Sequence, residues 1–250
     1  MMGVQSGQSV SYRKRIDFHT HILPGMDDGS RSVEMSLQML AASAEQGVGV
    51  IALTPHFYPT SDDPQHFLEK RNARMAHLKE HVPSGAPRLL AGAEVQYFEG
   101  LSAMQQLPLM RIEKSSALLI EMPMGKWTQR MLQELMELNR QGEYRVVLAH
   151  IERYLPFDNL RSIRQLAGVG VMMQMTSDVF SGWLRAGRAL RLFDEGLLHI
   201  LGSDCHNMTS RPPNLSAAYE YIEQKRGAAA VRQIIDNGMQ LFAMGGRVRS

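Results

Sequence analysis

Seven short apolar runs punctuate this chain, separated by segments with helical patterning. The runs fall at 15–19 (RIDFH), 48–54 (VGVIALT), 88–93 (RLLAGA), 117–121 (ALLIE), 145–149 (RVVLA), 170–175 (GVMMQM) and 197–202 (LLHILG). Near-continuous apolar stretches of this length are what strands buried on both faces look like. Between them, Val33, Leu37, Leu40 and Ala44 recur at helical spacing, and Gly47 can end that helix. Asp63-Pro64 reads as an N-cap followed by a first-turn proline, with Leu68, Met75 and Leu78 on one face. Asp158 is expected to cap a helix carrying Leu160, Ile163 and Leu166. Asn214 is expected to open another, closed by Gly227. Strand and helix alternating in this way specify an α/β fold with a parallel sheet and helices outside it. An open sheet and a closed barrel both satisfy the pattern.

Residue chemistry at the ends of the runs favours closure. The first run leads into Asp17, His19 and His21, the second into His56, the third into Glu94 and the fourth ends at Glu121. The fifth ends at His150, and the seventh is followed by Asp204 and His206. Nine histidines and 25 acids in 250 residues would put one at about every seventh position by chance, so six of seven run ends carrying one is a concentration. In a parallel barrel all these ends share the face where active sites lie. Imidazoles and carboxylates without a required thiolate suit divalent manganese, iron or zinc better than a structural zinc site. His19 and His21 are two apart, so an extended strand sends both rings to one side; the same holds for Asp204 and His206. Asp27-Asp28-Gly29 follows the first run and can add a carboxylate. His66, His77, His81 and His199 read as surface or packing residues.

The bulk numbers narrow the function classes. A net charge of +2 gives no sign of a nucleic-acid partner. One cysteine rules out an internal disulfide and is compatible with a reducing, cytoplasmic setting. No stretch of 18 apolar residues is present, so no membrane insertion is expected. Residues 1–14 are polar, lack the apolar core of a secretory signal, and read as a flexible N-terminal extension. Residues 15–250 show no dividing linker and read as a single domain. Oligomeric state leaves no trace in the sequence.

Asp17-Phe18-His19-Thr20-His21 resembles the D-x-H-x-H opening of the polymerase and histidinol phosphatase (PHP) superfamily. Ile22-Leu23-Pro24-Gly25 and Asp27-Asp28-Gly29 resemble its branch of bacterial capsule and exopolysaccharide tyrosine-protein phosphatases. Thr54-Pro55-His56, Gly92-Ala93-Glu94, Glu121, Ala149-His150-Ile151-Glu152-Arg153, Ser203-Asp204-x-His206-Asn207 and Arg211-Pro212-Pro213 continue the likeness in order.

That resemblance implies a distorted seven-stranded (β/α) barrel of the PHP type holding three divalent ions, manganese foremost, with iron or zinc acceptable. It implies one ion on His19, His21, Glu94 and Asp204, a second shared by Glu94 with Glu121 and His150, and a third on Asp28, His56 and His206. Asp17 is expected to orient a ligand histidine. Three such ions against four ligand carboxylates leave roughly +2 to attract a phosphate dianion. The implied reaction is dephosphorylation of phosphotyrosine on a protein, such as a tyrosine autokinase, by a metal-activated water. Arg153 and Arg211 are expected to clamp the phosphate, since a guanidinium can grip two oxygens at once. Phe57, Tyr58, Tyr97 and Phe98 either rim the pocket or pack in the core.

Four rival readings follow from the same residues. Cys205 to Arg211 formally spells C-x5-R, the cysteine-phosphatase pattern, but contains no glycine, and Asp204 before the thiol opposes its ionisation. An amidohydrolase commonly places lysine where this chain has Glu121. A small-monoester phosphatase of the histidinol phosphatase kind shares the ligand set, and a non-catalytic barrel would tolerate gaps in it.

Overall fold

The computed structural model describes residues 15–245. In chain order these form β1 (Arg15–Thr20), α1 (Val33–Glu45), β2 (Val48–Leu53), β3 (His56–Phe57), α2 (Pro64–Lys79), β4 (Arg88–Ala91), β5 (Glu94–Gln96) and α3 (Leu107–Met110). There follow β6 (Ala117–Glu121), α4 (Gln129–Arg140), β7 (Arg145–Leu148), α5 (Leu160–Gly168), β8 (Met172–Thr176), α6 (Trp183–Asp194), β9 (Ile200–Gly202), α7 (Leu215–Arg226) and α8 (Ala228–Gly245). The expected extension at 1–14 lies outside the described residues.

Strand pairing is parallel throughout and follows chain order: β1-β2-β4 in one sheet, β3-β5-β6-β7-β8-β9 in the other. Among the described residues nine strands stand where seven runs were expected, because β3 and β5 are further short strands just beyond the second and third runs. Pro55 has no N–H to give a ladder and separates β2 from β3; Gly92-Ala93, the end of the third run, separates β4 from β5. Hydrogen bonds carry on across both breaks, from Gly92 N–H to the Leu53 carbonyl (2.9 Å) and from Glu94 N–H to that of Pro55 (3.0 Å). At the other edge, the chain leaving β9 meets β1: Asp204 N–H donates to the His19 carbonyl (2.8 Å) and His21 N–H to that of Cys205 (2.9 Å). The sheet is curled, and its two edges meet at the candidate ligands.

Alternation splits each strand between two apolar clusters. Ile51, Leu53, Leu118, Ile120, Val146 and Leu148 pack with the surrounding helices. Ala52, Leu90, Leu119, Val147 and Ile200 form the smaller cluster, joined by Leu241 of α8. With both faces dry, polar strand residues are tolerated only where they find partners.

Helix starts follow the punctuation with one exception. Ser32 caps α1 through Met35 N–H (3.3 Å), and Asp63 caps α2 through His66 N–H (2.8 Å). Gly47 and Gly227, at φ of +75° and +79°, leave α1 and α7 in the left-handed region. Asp158 caps nothing: α5 begins after Asn159, and the Asp158 carboxylate pairs with Lys126 (3.2 Å). Asn214 does precede α7 but uses its side-chain oxygen to accept from the Ser177 hydroxyl.

Candidate metal centre

β1 delivers His19 and His21, and the loop after it folds back over them. Ser30 N–H reaches the His21 carbonyl (2.9 Å) and Gly25 N–H the Ser30 carbonyl (2.7 Å). Only glycine fits at position 29, since a Cβ there would stand 2.2 Å from the His21 carbonyl oxygen. That turn places Asp27 beside His21, with Oδ2 2.7 Å from Nδ1, and the same oxygen accepts from His56 N–H (2.9 Å). Burial opposes ionisation of Asp27, but the His21 partner outweighs it and holds the acid down to about 2. With Nδ1 fixed by Asp27, His21 presents Nε2 inward.

Four buried side chains then converge. His19 Nε2 is 3.0 Å from Glu94 Oε2 and 3.5 Å from Asp204 Oδ1; His21 Nε2 is 3.4 Å and 3.3 Å from the same two oxygens. Donors about 2.0–2.1 Å from one tetrahedral ion would stand about 3.3 Å apart. Glu94 turns its other oxygen to His150 Nε2 (2.8 Å), which is 3.6 Å from Glu121 Oε1. Asp28, exposed at the mouth, has Oδ1 3.3 Å from His206 Nε2 and 3.7 Å from His56 Nε2. His56 also brings Nδ1 to 2.9 Å from Glu94 Oε2, so it stands between the groupings. Ligand-capable atoms of His21, Asp28, His56 and His206 lie close together, as do those of His56, Glu94 and Glu121.

These residues fit divalent ions on an observation independent of spacing. Glu94 Oε2 has three imidazole nitrogens within 3.4 Å but no hydrogen bond to any, and His206 Nε2 and His56 Nδ1 are likewise buried without one. Buried polar atoms left unsatisfied cost about 1–3 kcal/mol each. Several aimed at shared points make a donor set suited to a cation. Burial pushes the Glu94 acid up, yet His19 and His150 beside it hold it well below the usual range, so it stands ready as an anion.

Backbone strain marks the two places where the chain turns into the site. His150 (φ +33°) and Asp204 (φ +53°) are left-handed without being glycine, a cost of about 1–3 kcal/mol each that is tolerated where surrounding structure imposes it. Arg153 and Arg211, each about one-third exposed, both rest on Asp204 Oδ2, Arg211 at 2.6 Å. Together with Ser203 they face a cavity of about 440 Å³ that opens beside the clustered ligands.

All nine expected metal-ligating residues and both arginines therefore lie in one place. Asp17 holds a candidate ligand histidine by its backbone and not by its ring: its Oδ1 accepts from the N–H of Ser203 (2.8 Å) and His19 (3.3 Å), pinning β1 to the end of β9. The histidines are oriented by Asp27 and by Gln174, whose Oε1 accepts from His150 N–H (2.8 Å) and lies 3.2 Å from His19 Nδ1. Gln174 was missed; its only sequence signal is a polar residue inside the apolar sixth run. Of the aromatics, Tyr58 stacks on His56 at 4.9 Å, Phe57 is core, and Tyr97 donates to Glu134 (2.7 Å). Cys205 is fully buried, and burial pushes its thiol well up, which removes it as a nucleophile. His77 and His81 group with Glu80 on the exposed end of α2, apart from these residues in the fold.

Comparison with known proteins adds the following. A family model described as capsular polysaccharide synthesis, CpsB/CapC, matches residues 15–243. The chain is 30% identical over 244 residues to the tyrosine-protein phosphatase CpsB of Streptococcus pneumoniae, covering 91% of this chain and 98% of that protein. It is 29% identical over 238 residues to the tyrosine-protein phosphatase YwqE of Bacillus subtilis, covering 91% of each. Crystal structures of YwqE and CpsB, described as unique metal-dependent tyrosine phosphatases, include a chain matched with a TM-score of 0.79 at 28% identity, over 92% of this chain and 94% of that one. A phosphotriesterase homology protein from Escherichia coli matches with a TM-score of 0.55 at 13% identity, over 92% of this chain and 98% of that one, a likeness of fold alone.

Proposed function

The chain belongs to the CpsB/CapC family of capsular polysaccharide synthesis proteins, and on that premise we propose that it is a metal-dependent phosphatase of phosphotyrosine on proteins. The observation that carries this reading is Glu94: a buried carboxylate with one oxygen toward His19 and His21, the other toward His150, and no hydrogen bond to Oε2. Such a carboxylate is suited to link two cations.

Our assignment gives one ion to His19, His21, Glu94 and Asp204, a second to Glu94, Glu121 and His150, and a third to Asp28, His56 and His206. Manganese is the ion we favour. Divalent ions supply a water acidic enough to act as a nucleophile at neutral pH, together with charge to stabilise the phosphoryl oxygens. The protein's own part is positional. Asp27 and Gln174 fix His21, His19 and the His150 backbone so that ligand nitrogens face inward. Arg153 and Arg211 offer guanidinium groups at the cavity wall, where they can leave Asp204 for two phosphoryl oxygens. Tyr58, stacked on His56 at the rim, is an apolar face for the leaving tyrosyl ring.

We read residues 15–250 as a single PHP-type domain of seven strand runs. The natural substrate would be a tyrosine autokinase of polysaccharide synthesis, met in the cytoplasm; among the described residues no helix is long and apolar enough to cross a membrane. The test pits phosphotyrosyl peptide against histidinol phosphate at equal concentration, with and without chelator. Chelator-sensitive preference for the peptide is expected. Preference for the small ester would contradict the protein-phosphatase assignment.

A further inference from the structure

Outside the ligand cluster, the most conspicuous surface feature is the first turn of α6. Trp183 and Leu184 are 79% and 67% exposed, more than any other large apolar side chain among the described residues. Exposing an adjacent tryptophan and leucine is costly, and Trp is enriched where partners anchor. The same helix forms a wall of the cavity that contains Arg153, Asp204 and Arg211, with Leu155, Val179 and Leu192 supplying its apolar lining and Arg188 its rim. Arg185, one turn away, is committed to Asp178 (2.8 Å). No carboxylate among the described residues pairs with Arg188. Gly182 contributes no side-chain cap to α6, so the uncapped N–H groups add to the positive potential here.

We propose that this edge of α6 docks the substrate polypeptide beside the phosphotyrosine, seating an apolar residue on Trp183 and Leu184 and an acidic side chain on Arg188. The inference rests on the phosphatase reading above and extends it to substrate choice. Its basis is that α6 lines the cavity through Arg188, Ala189 and Leu192 opposite Arg153 and Arg211, so a chain flanking a phosphate gripped there crosses α6. The exposed Trp183 and Leu184 of that helix stand one turn beyond Arg188 and outside the cavity lining. Acidic flanks complement Arg188; basic flanks are repelled by it and by the helix terminus.

The experiment compares three substrates: free phosphotyrosine, a phosphotyrosyl peptide flanked by Glu, and the same peptide flanked by Lys. Free phosphotyrosine does not reach α6 and reports the catalytic centre alone. The wild-type protein should favour the Glu peptide over the Lys peptide by about tenfold in kcat/KM. Arg188→Glu should erase that preference through KM, and Trp183→Ala should raise KM for both peptides, while turnover of free phosphotyrosine stays the same. The proposal is overturned if the wild-type protein shows no preference, or if either variant changes all three substrates equally. Absence of any phosphotyrosine turnover in the wild-type protein would instead bring down the phosphatase reading and this inference with it.

Discussion

Gln174 is a neutral amide in a Met-rich strand, yet it touches two elements of the metal centre at once. Gln174→Leu preserves approximate volume and removes both contacts, so metal affinity should fall about 10–100-fold; unchanged affinity by calorimetric titration would contradict the orienting role. Arg153→Ala and Arg211→Ala should each lower kcat by about 100-fold, the scale of losing one charge-stabilising donor, with metal content intact. If Arg153→Ala lost its metals, the clamp assignment would be wrong. Cys205→Ser should retain turnover, because a buried, neutral thiol cannot attack phosphorus. At this scale the side chains we propose as ligands were readable in the sequence because imidazoles and carboxylates are few and sit at run ends. Gln174 was not, since an amide carries no metal-ligand signature. Asp17 was read as orienting a histidine and does reach the His19 backbone, while the turn at Gly29 places Asp27 on the ring of His21.

Strands set the ligand positions, and the spacing between strands leaves little slack. Gly202 in β9 shows this: a Cβ there would lie 2.5 Å from the His19 Cβ and 2.9 Å from Gln174 Nε2. Gly202→Ala should therefore destabilise the fold by about 1–3 kcal/mol, as overpacking does, and also displace His19. Thermal denaturation should show a lower Tm together with a reduced stabilising shift on adding manganese. A normal metal-dependent shift would mean His19 is not displaced. Element existence and order were legible from apolar runs and helix punctuation such as Asp63-Pro64 and Gly47. The short strands β3 and β5, beyond Pro55 and Gly92-Ala93, were not expected, because two or three residues are too few to stand out as an apolar run. Asp158 misled because α5 starts one residue later, after Asn159, and the Asp158 carboxylate pairs with Lys126 instead.

Curling of the whole sheet converts scattered sequence positions into one site. His19 and Asp204 are far apart in the chain, and they meet because the residues after β9 hydrogen-bond back to β1. That meeting was expected from the chemistry of the run ends; periodicity alone left an open sheet equally admissible. The central claim is that these side chains bind divalent ions on which phosphotyrosine hydrolysis depends. Its most direct test is elemental analysis of the purified protein paired with phosphotyrosine turnover, before and after chelation and again after adding manganese. Activity should track metal content, vanish in the metal-free protein and return with manganese. Full turnover by protein shown to be free of metal would contradict the account.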